Sequence, residues 1–367
     1  MEQIFNELND YYKNNDFERI FNHQYGIYFL KLRSLSRTEI LKRLADKANV
    51  DINGIQGRQL FSFLFCRNID EQIIDEFIIE IYEEERAVRR ENEDYLYNQL
   101  YRLPVLYWGG FYQNAVEQTI VNNYIKKIQG FDELVKKIEN DINPRLKGYI
   151  LSSWYNHWSS ILIEDMFKDH HDILPAVGLV KKVDFFWKNF PFDLKVTYFP
   201  DGYMKEKRKE LGLRPELTEL KEFARNNNIP INRDLKDKEL FADLLTKISE
   251  QNTNASKDFI NDFHQTRREI IDETIEHPVN LIRWFYENQG TRRFDAANRF
   301  FIVLIDRNNI EESWKLKRNK NLLYDNINNY LNKNRDIDFE NLKLSFNWEG
   351  REYNTYATCL FIINENT

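Results

Sequence analysis

The chain has 367 residues and a net charge of −7, with 42% of its residues hydrophobic and 15% aromatic. That size and apolar share exclude a disordered tail and predict a folded protein with room for two domains or one elaborated domain. The acidic balance excludes a basic coat for nucleic acid, although a sequence-specific DNA enzyme needs only a local basic face.

Cys66 and Cys359 are the only cysteines. A cysteine zinc site is therefore excluded, and a disulfide framework is not expected. No apolar run approaches the ~18 residues of a membrane span, and Met1 to Leu8 lacks the basic and apolar blocks of a secretory leader. A cytoplasmic protein is expected.

Residues 1–145 read as a helical, charged N-terminal region. Ser36-Arg37-Thr38-Glu39 before Ile40, Leu41 and Leu44 predicts a capped helix start, with an end near Asn49. Ile73, Ile74, Phe77, Ile78 and Ile81 predict a second helix from Asp70 to Arg90, whose charged run reads as a solvated face. Tyr107-Trp108-Gly109-Gly110-Phe111 breaks the pattern and reads as a hinge or an aromatic loop. From about Arg145 a long helix is predicted, carrying Tyr149, Leu151, Trp154, Trp158, Ile161, Leu162 and Met166. Glu164 lies at the edge of that stripe, with Asp165 beside it. Asp169-His170-His171-Asp172 and Pro175 end the helix. His171-Asp172 matches the pair that names HD phosphohydrolases. That chemistry needs further histidines and aspartates, yet only His264 and His277 follow, so the loop histidines read as partners of the helix end.

Val183 to Val196 holds the strongest pattern. Two runs rich in aromatic and β-branched residues flank the polar pair Lys188-Asn189, which predicts a β-hairpin with a two-residue loop. Asp184 would then face Asp193, and Lys182 would face Lys195. Alternation puts Asp193 and Lys195 on one strand face. Opposed Cβ atoms lie roughly 4.5–5.5 Å apart, so two carboxylates there call for a cation, and a hard divalent metal with oxygen ligands fits.

Tyr198 to Gly202 is a stop. Residues 201–277 read as a helical insertion with a basic start at Lys205, Lys207, Arg208 and Lys209. It repeats the tripeptide Asp234-Leu235-Lys236 in a polar stretch that reads as a helix start. Pro278 to Gly290 predicts another helix. Phe300 to Ile305 reads as a doubly buried strand, and Leu342–Trp348 with Tyr353–Ile363 as a strand pair turning at Glu349-Gly350. Arg292, Arg293 and Arg299 suit phosphates or guanine edges, with Asn288 and Gln289 in reach of a base and Lys182 on the same phosphate-binding list.

Asp184 followed by Asp193-Leu194-Lys195 resembles the PD-(D/E)xK nuclease superfamily, to which many type II restriction endonucleases belong. The resemblance covers roughly residues 146–200 and 278–306, and Val183 stands where the motif has proline. It implies an α/β (α+β) protein with a restriction-endonuclease-like αβββαβ core and large helical additions. The core would comprise 146–200 and 278–367, interrupted by the 201–277 insertion. It implies Mg2+ held by Asp184, Asp193 and the Leu194 carbonyl, with Glu164 as the helix carboxylate and Asp165 its competitor. Lys195 would position water and stabilise charge. The implied activity is site-specific cleavage of double-stranded DNA by a homodimer, with a cognate methyltransferase in the same system. A repair or phage-defence nuclease, or a non-catalytic DNA- or protein-binding module, is the alternative.

Overall fold

A computed structural model describes residues 1–106, 116–178, 180–290 and 294–365. Tyr107 to Phe111 lies outside them, as do Arg292 and Arg293. The protein is mixed α/β. Among the described residues the strands β1 (Ile173–Pro175), β2 (Phe185–Trp187), β3 (Phe190–Tyr198), β4 (Arg299–Asp306), β5 (Lys343–Trp348) and β6 (Arg351–Asn364) run in the order β1-β2-β3-β4-β6-β5. It divides into two compact units, Met1–Leu194 with Trp314–Ile337, and Lys195–Ser313 with Asp338–Thr367. No helix among the described residues is long and apolar enough to cross a membrane.

In the first unit, short N-terminal helices bury Leu8, Phe29, Leu44, Leu64, Phe65 and Ile78 in one core. The helix Thr38–Lys47 starts one residue after Arg37 with no side-chain cap, so Ser36 does not cap it. The helix Glu71–Glu91 follows Asp70, whose carboxylate accepts the Gln72 N–H at 2.9 Å. Its charged outer face pairs with Arg43 and Lys47 through Glu80 and Glu84, as a solvated helix face does. Lys31 is wholly buried and donates to Glu71, Asp75 and, at 2.8 Å, to the Asn189 side chain.

The long helix Asn143–Lys168 begins with proline in its first turn. It leads into β1 (Ile173–Pro175), a strand too short for a sequence pattern, then β2 (Phe185–Trp187) and β3 (Phe190–Tyr198). Phe185 pairs with Phe192, Phe186 with Pro191 and Trp187 with Phe190, the register expected of a two-residue loop. Lys188 and Asn189 both adopt positive φ, 48° and 67°. A primed turn of that kind matches the twist of the flanking strands. Phe186 packs into the N-terminal core, while Phe185 stacks on Phe167 of the long helix at 5.2 Å.

The second unit begins inside β3, at Lys195. Residues 201–277 are helical as expected, in four helices, and bury Leu220, Leu240, Leu244, Ile248 and Phe263 in a core of their own. Asp234-Leu235-Lys236 leads into the helix Asp237–Glu250, where the Lys236 N–H donates to Glu239 at 3.2 Å. That copy of the tripeptide is helix capping. The helix Pro278–Glu287 covers the sheet through Phe285, stacked on Phe301 at 4.7 Å. β4 (Arg299–Asp306) is buried up to Ile305 and runs parallel to β6 (Arg351–Asn364). β5 (Lys343–Trp348) turns into β6 at Glu349 and Gly350, both with positive φ.

The long helix, three strands, four further helices, the helix Pro278–Glu287 and β4 thus follow in chain order. The division into parts differs from the expected one. The boundary falls after Leu194 rather than after residue 200, and Trp314–Ile337 belongs with the first unit rather than the last part. Long-range polar contacts cause this: the Tyr155 hydroxyl donates to the Trp314 carbonyl, and Lys317 donates to the Asn156 side chain, both at 2.9 Å.

Candidate carboxylate site

Asp184 stands one residue before β2, behind the buried anchor Val183. Its N–H donates to the Phe192 carbonyl at 2.8 Å, and its own carbonyl accepts the Ala176 N–H at 3.2 Å. Phe185 is already the ladder partner of Phe192, so the strand bulges at Asp184 and the regular pairing stops. The expected direct opposition of Asp184 and Asp193 is therefore replaced by a diagonal contact. The Asp184 carboxylate reaches past Asp193 and accepts the Leu194 N–H at 2.7 Å.

The charges explain the behaviour of this group. Burial, then the Glu164 carboxylate, then that of Asp193 push the Asp184 acid up to about 7, against the pull of the Leu194 N–H and Lys168. Asp193 is itself buried, at 5% exposure. Three acidic side chains from a helix, a bulge and a strand thus share one electrostatic site within the first unit.

The two neighbouring helix carboxylates part ways. Asp165 is 2% exposed and accepts from Arg89 twice at 2.8 Å, with Arg86 at 3.6 Å. It anchors the long helix to the helix Glu71–Glu91. Glu164 raises Asp184's pKa instead, so Glu164 is the helix carboxylate of the site. Lys168, one turn further on, pairs with Glu164 at 3.2 Å and donates to the Ala176 carbonyl at 3.4 Å. Since the Ala176 N–H holds Asp184, Lys168 ties helix and bulge together. Sequence reasoning missed it, although glutamate four residues before lysine was a readable signal.

Lys195 lies two residues after Asp193 on β3, half-buried, and opens the second unit. Leu194 contributes its N–H to Asp184. Lys182 sits in a turn with a φ of 61°, so it occupies no strand position and the expected Lys182–Lys195 pair has no ladder to form on.

The expected DNA-binding set fares less well. Arg299 is 6% exposed and donates to Gln289 at 2.7 Å and Asp295 at 2.9 Å, over the Tyr286 ring. Its guanidinium is committed inside the fold and is not presented to a ligand. Gln289 is committed likewise, with its amide donating to the Tyr286 and Asp295 carbonyls. Asn288 is exposed at a helix end and donates to the Trp284 carbonyl.

His170, His171 and Asp172 bring three ligand atoms within 4.8 Å of one another. Arg335 already contacts His171 and donates to Asp172 at 3.2 Å, while the Asp172 N–H donates to His170. A guanidinium there does the work of a cation. No protein-family model, curated protein or solved structure matches this chain.

Proposed function

We propose that this protein is a Mg2+-dependent, site-specific endonuclease acting on double-stranded DNA, of the type II restriction kind. The observation that carries the reading is the crowding of Glu164, Asp184 and Asp193, where burial and then the two neighbouring carboxylates hold the Asp184 acid near 7. An all-oxygen donor set of that charge suits a hard divalent cation. When bound, the cation supplies charge neutralisation at a phosphodiester and a more acidic water.

The chain's own residues prepare for this. Lys168 orients Glu164, and the Leu194 N–H fixes the Asp184 carboxylate. The Leu194 carbonyl is a further oxygen donor in the reading. Strand alternation carries Lys195 to the face of Asp193, where its ammonium would position water and offset charge on phosphorus. The chain order of helix and three strands, then helix and strand after four intervening helices, also supports a nuclease core. A homodimer would cut both strands of a palindrome, and a cognate methyltransferase would protect the host's own DNA. The same site would serve a repair or phage-defence nuclease.

The test is cleavage of unmodified plasmid and phage DNA with Mg2+, with EDTA, and with a folded Asp193→Ala variant. Discrete bands that need Mg2+ and vanish in the variant are expected. No cutting of any duplex, with no Mg2+-dependent thermal shift, defeats the reading in favour of a binding module.

A further inference from the structure

Glu164 belongs to a second feature of the long helix. A hollow of about 570 Å3 is lined by the polar residues Tyr149, Ser153, Asn156, His157, Ser160 and Glu164, together with the apolar Ile161. These positions recur at three- and four-residue intervals, so they form one stripe along roughly 22 Å of helix. Apart from Glu164 at its end, the polar stripe carries hydroxyl, amide and imidazole groups rather than charged ones. Its amide is pre-set: Asn156 accepts from Lys317 at 2.9 Å, and Lys317 is only 5% exposed. With Oδ1 committed inward, the NH2 of Asn156 is the group turned toward a ligand. Ser153 and Ser160 add hydroxyl donors one helical turn to either side.

Neutral donors of this kind hold the phosphates and sugars of nucleic acid and set its register. We propose that this face of the long helix is the track for the strand being cut, its backbone lying along Ser153, Asn156 and Ser160 and ending with the scissile phosphate beside Glu164. The proposal rests on the nuclease reading and names where that reading's substrate sits. Because the contacts are neutral, they add affinity without releasing counterions.

The experiment measures binding of a fluorescent duplex carrying the cleavage site, with Ca2+ in place of Mg2+, across a salt series. Two variants are compared with the full-length wild type. Ser153→Ala/Ser160→Ala removes two donors. Asn156→Asp keeps the oxygen that Lys317 needs and replaces the outward donor with an acceptor. Each variant should bind about tenfold more weakly while keeping the wild-type thermal shift with Ca2+, and the serine double variant should keep the wild-type salt slope. A steeper or shallower slope in that variant, or undiminished binding by both, overturns the track alone if the wild type cuts DNA. A wild type that neither binds nor cuts any duplex overturns the nuclease reading and the track with it.

Discussion

Asp184→Asn separates a site built for function from one built for stability. Moving the Asp184 acid from its ordinary 3.8 to about 7 means that the native fold opposes its ionisation by at most about 4 kcal/mol. The stability this group confers is complete below its unfolded-state value near 4 and is lost as pH rises through 7. At pH 8 the wild type therefore bears the whole penalty, and asparagine, which cannot ionise, bears none. The substitution keeps an oxygen for the Leu194 N–H, but a neutral acceptor forfeits about 1 kcal/mol against a charged one. Partial access of Asp184 to solvent trims the gain further. Asp184→Asn should thus be about 1–3 kcal/mol more stable than wild type at pH 8, with a clearly smaller gain at pH 5, where only about a third of the penalty has developed. Urea unfolding in EDTA at the two pH values measures this. A variant less stable than wild type at pH 8, or a gain equal at both, refutes the electrostatic argument.

Glu164→Gln should leave the urea midpoint nearly unchanged and abolish the Mg2+-dependent thermal shift. Asp165→Asn, one residue on, should cost about 1–3 kcal/mol by weakening the paired hydrogen bonds from Arg89, while Arg86 keeps Asp169 and Glu93, and should spare metal binding in the folded fraction. The pair of urea and metal titrations tells the two roles apart. Lys31→Met should cost about 1–3 kcal/mol, because it removes only the cation and leaves the part-exposed Glu71 and Asp75 carboxylates without it. Amide exchange at Lys188, Asn189 and Phe190 should also accelerate; unchanged protection there would mean that Lys31 does not hold the hairpin tip.

The hairpin was legible because local chemistry determines it: a polar pair able to take positive φ, with alternating aromatic flanks. β4 was legible from six successive apolar residues. The bulge at Asp184 was not, since it depends on Ala176 and Phe192 meeting Asp184 from the segments on either side of it. The choice between Glu164 and Asp165 was likewise closed to sequence reasoning, because Arg86 and Arg89 lie some 80 residues upstream. Arginine misled for the same reason. Arg299 has the composition of a phosphate ligand, and only Asp295 and Gln289 in three dimensions reveal its commitment. The return of Trp314–Ile337 to the first unit has no local signal either.

That return has a consequence for synthesis. A ribosome delivers the chain from the N-terminus, so the acidic residues of the candidate site emerge well before Trp314 and Lys317. Until those residues arrive, Tyr155 and Asn156 lack the partners that fasten the middle of the long helix. The first unit therefore matures late, after Lys195–Ser313 of the second has been made. A nascent or prematurely ended chain carries the acidic cluster on an unfinished scaffold, and the full constellation is assembled only once Trp314–Ile337 has been made.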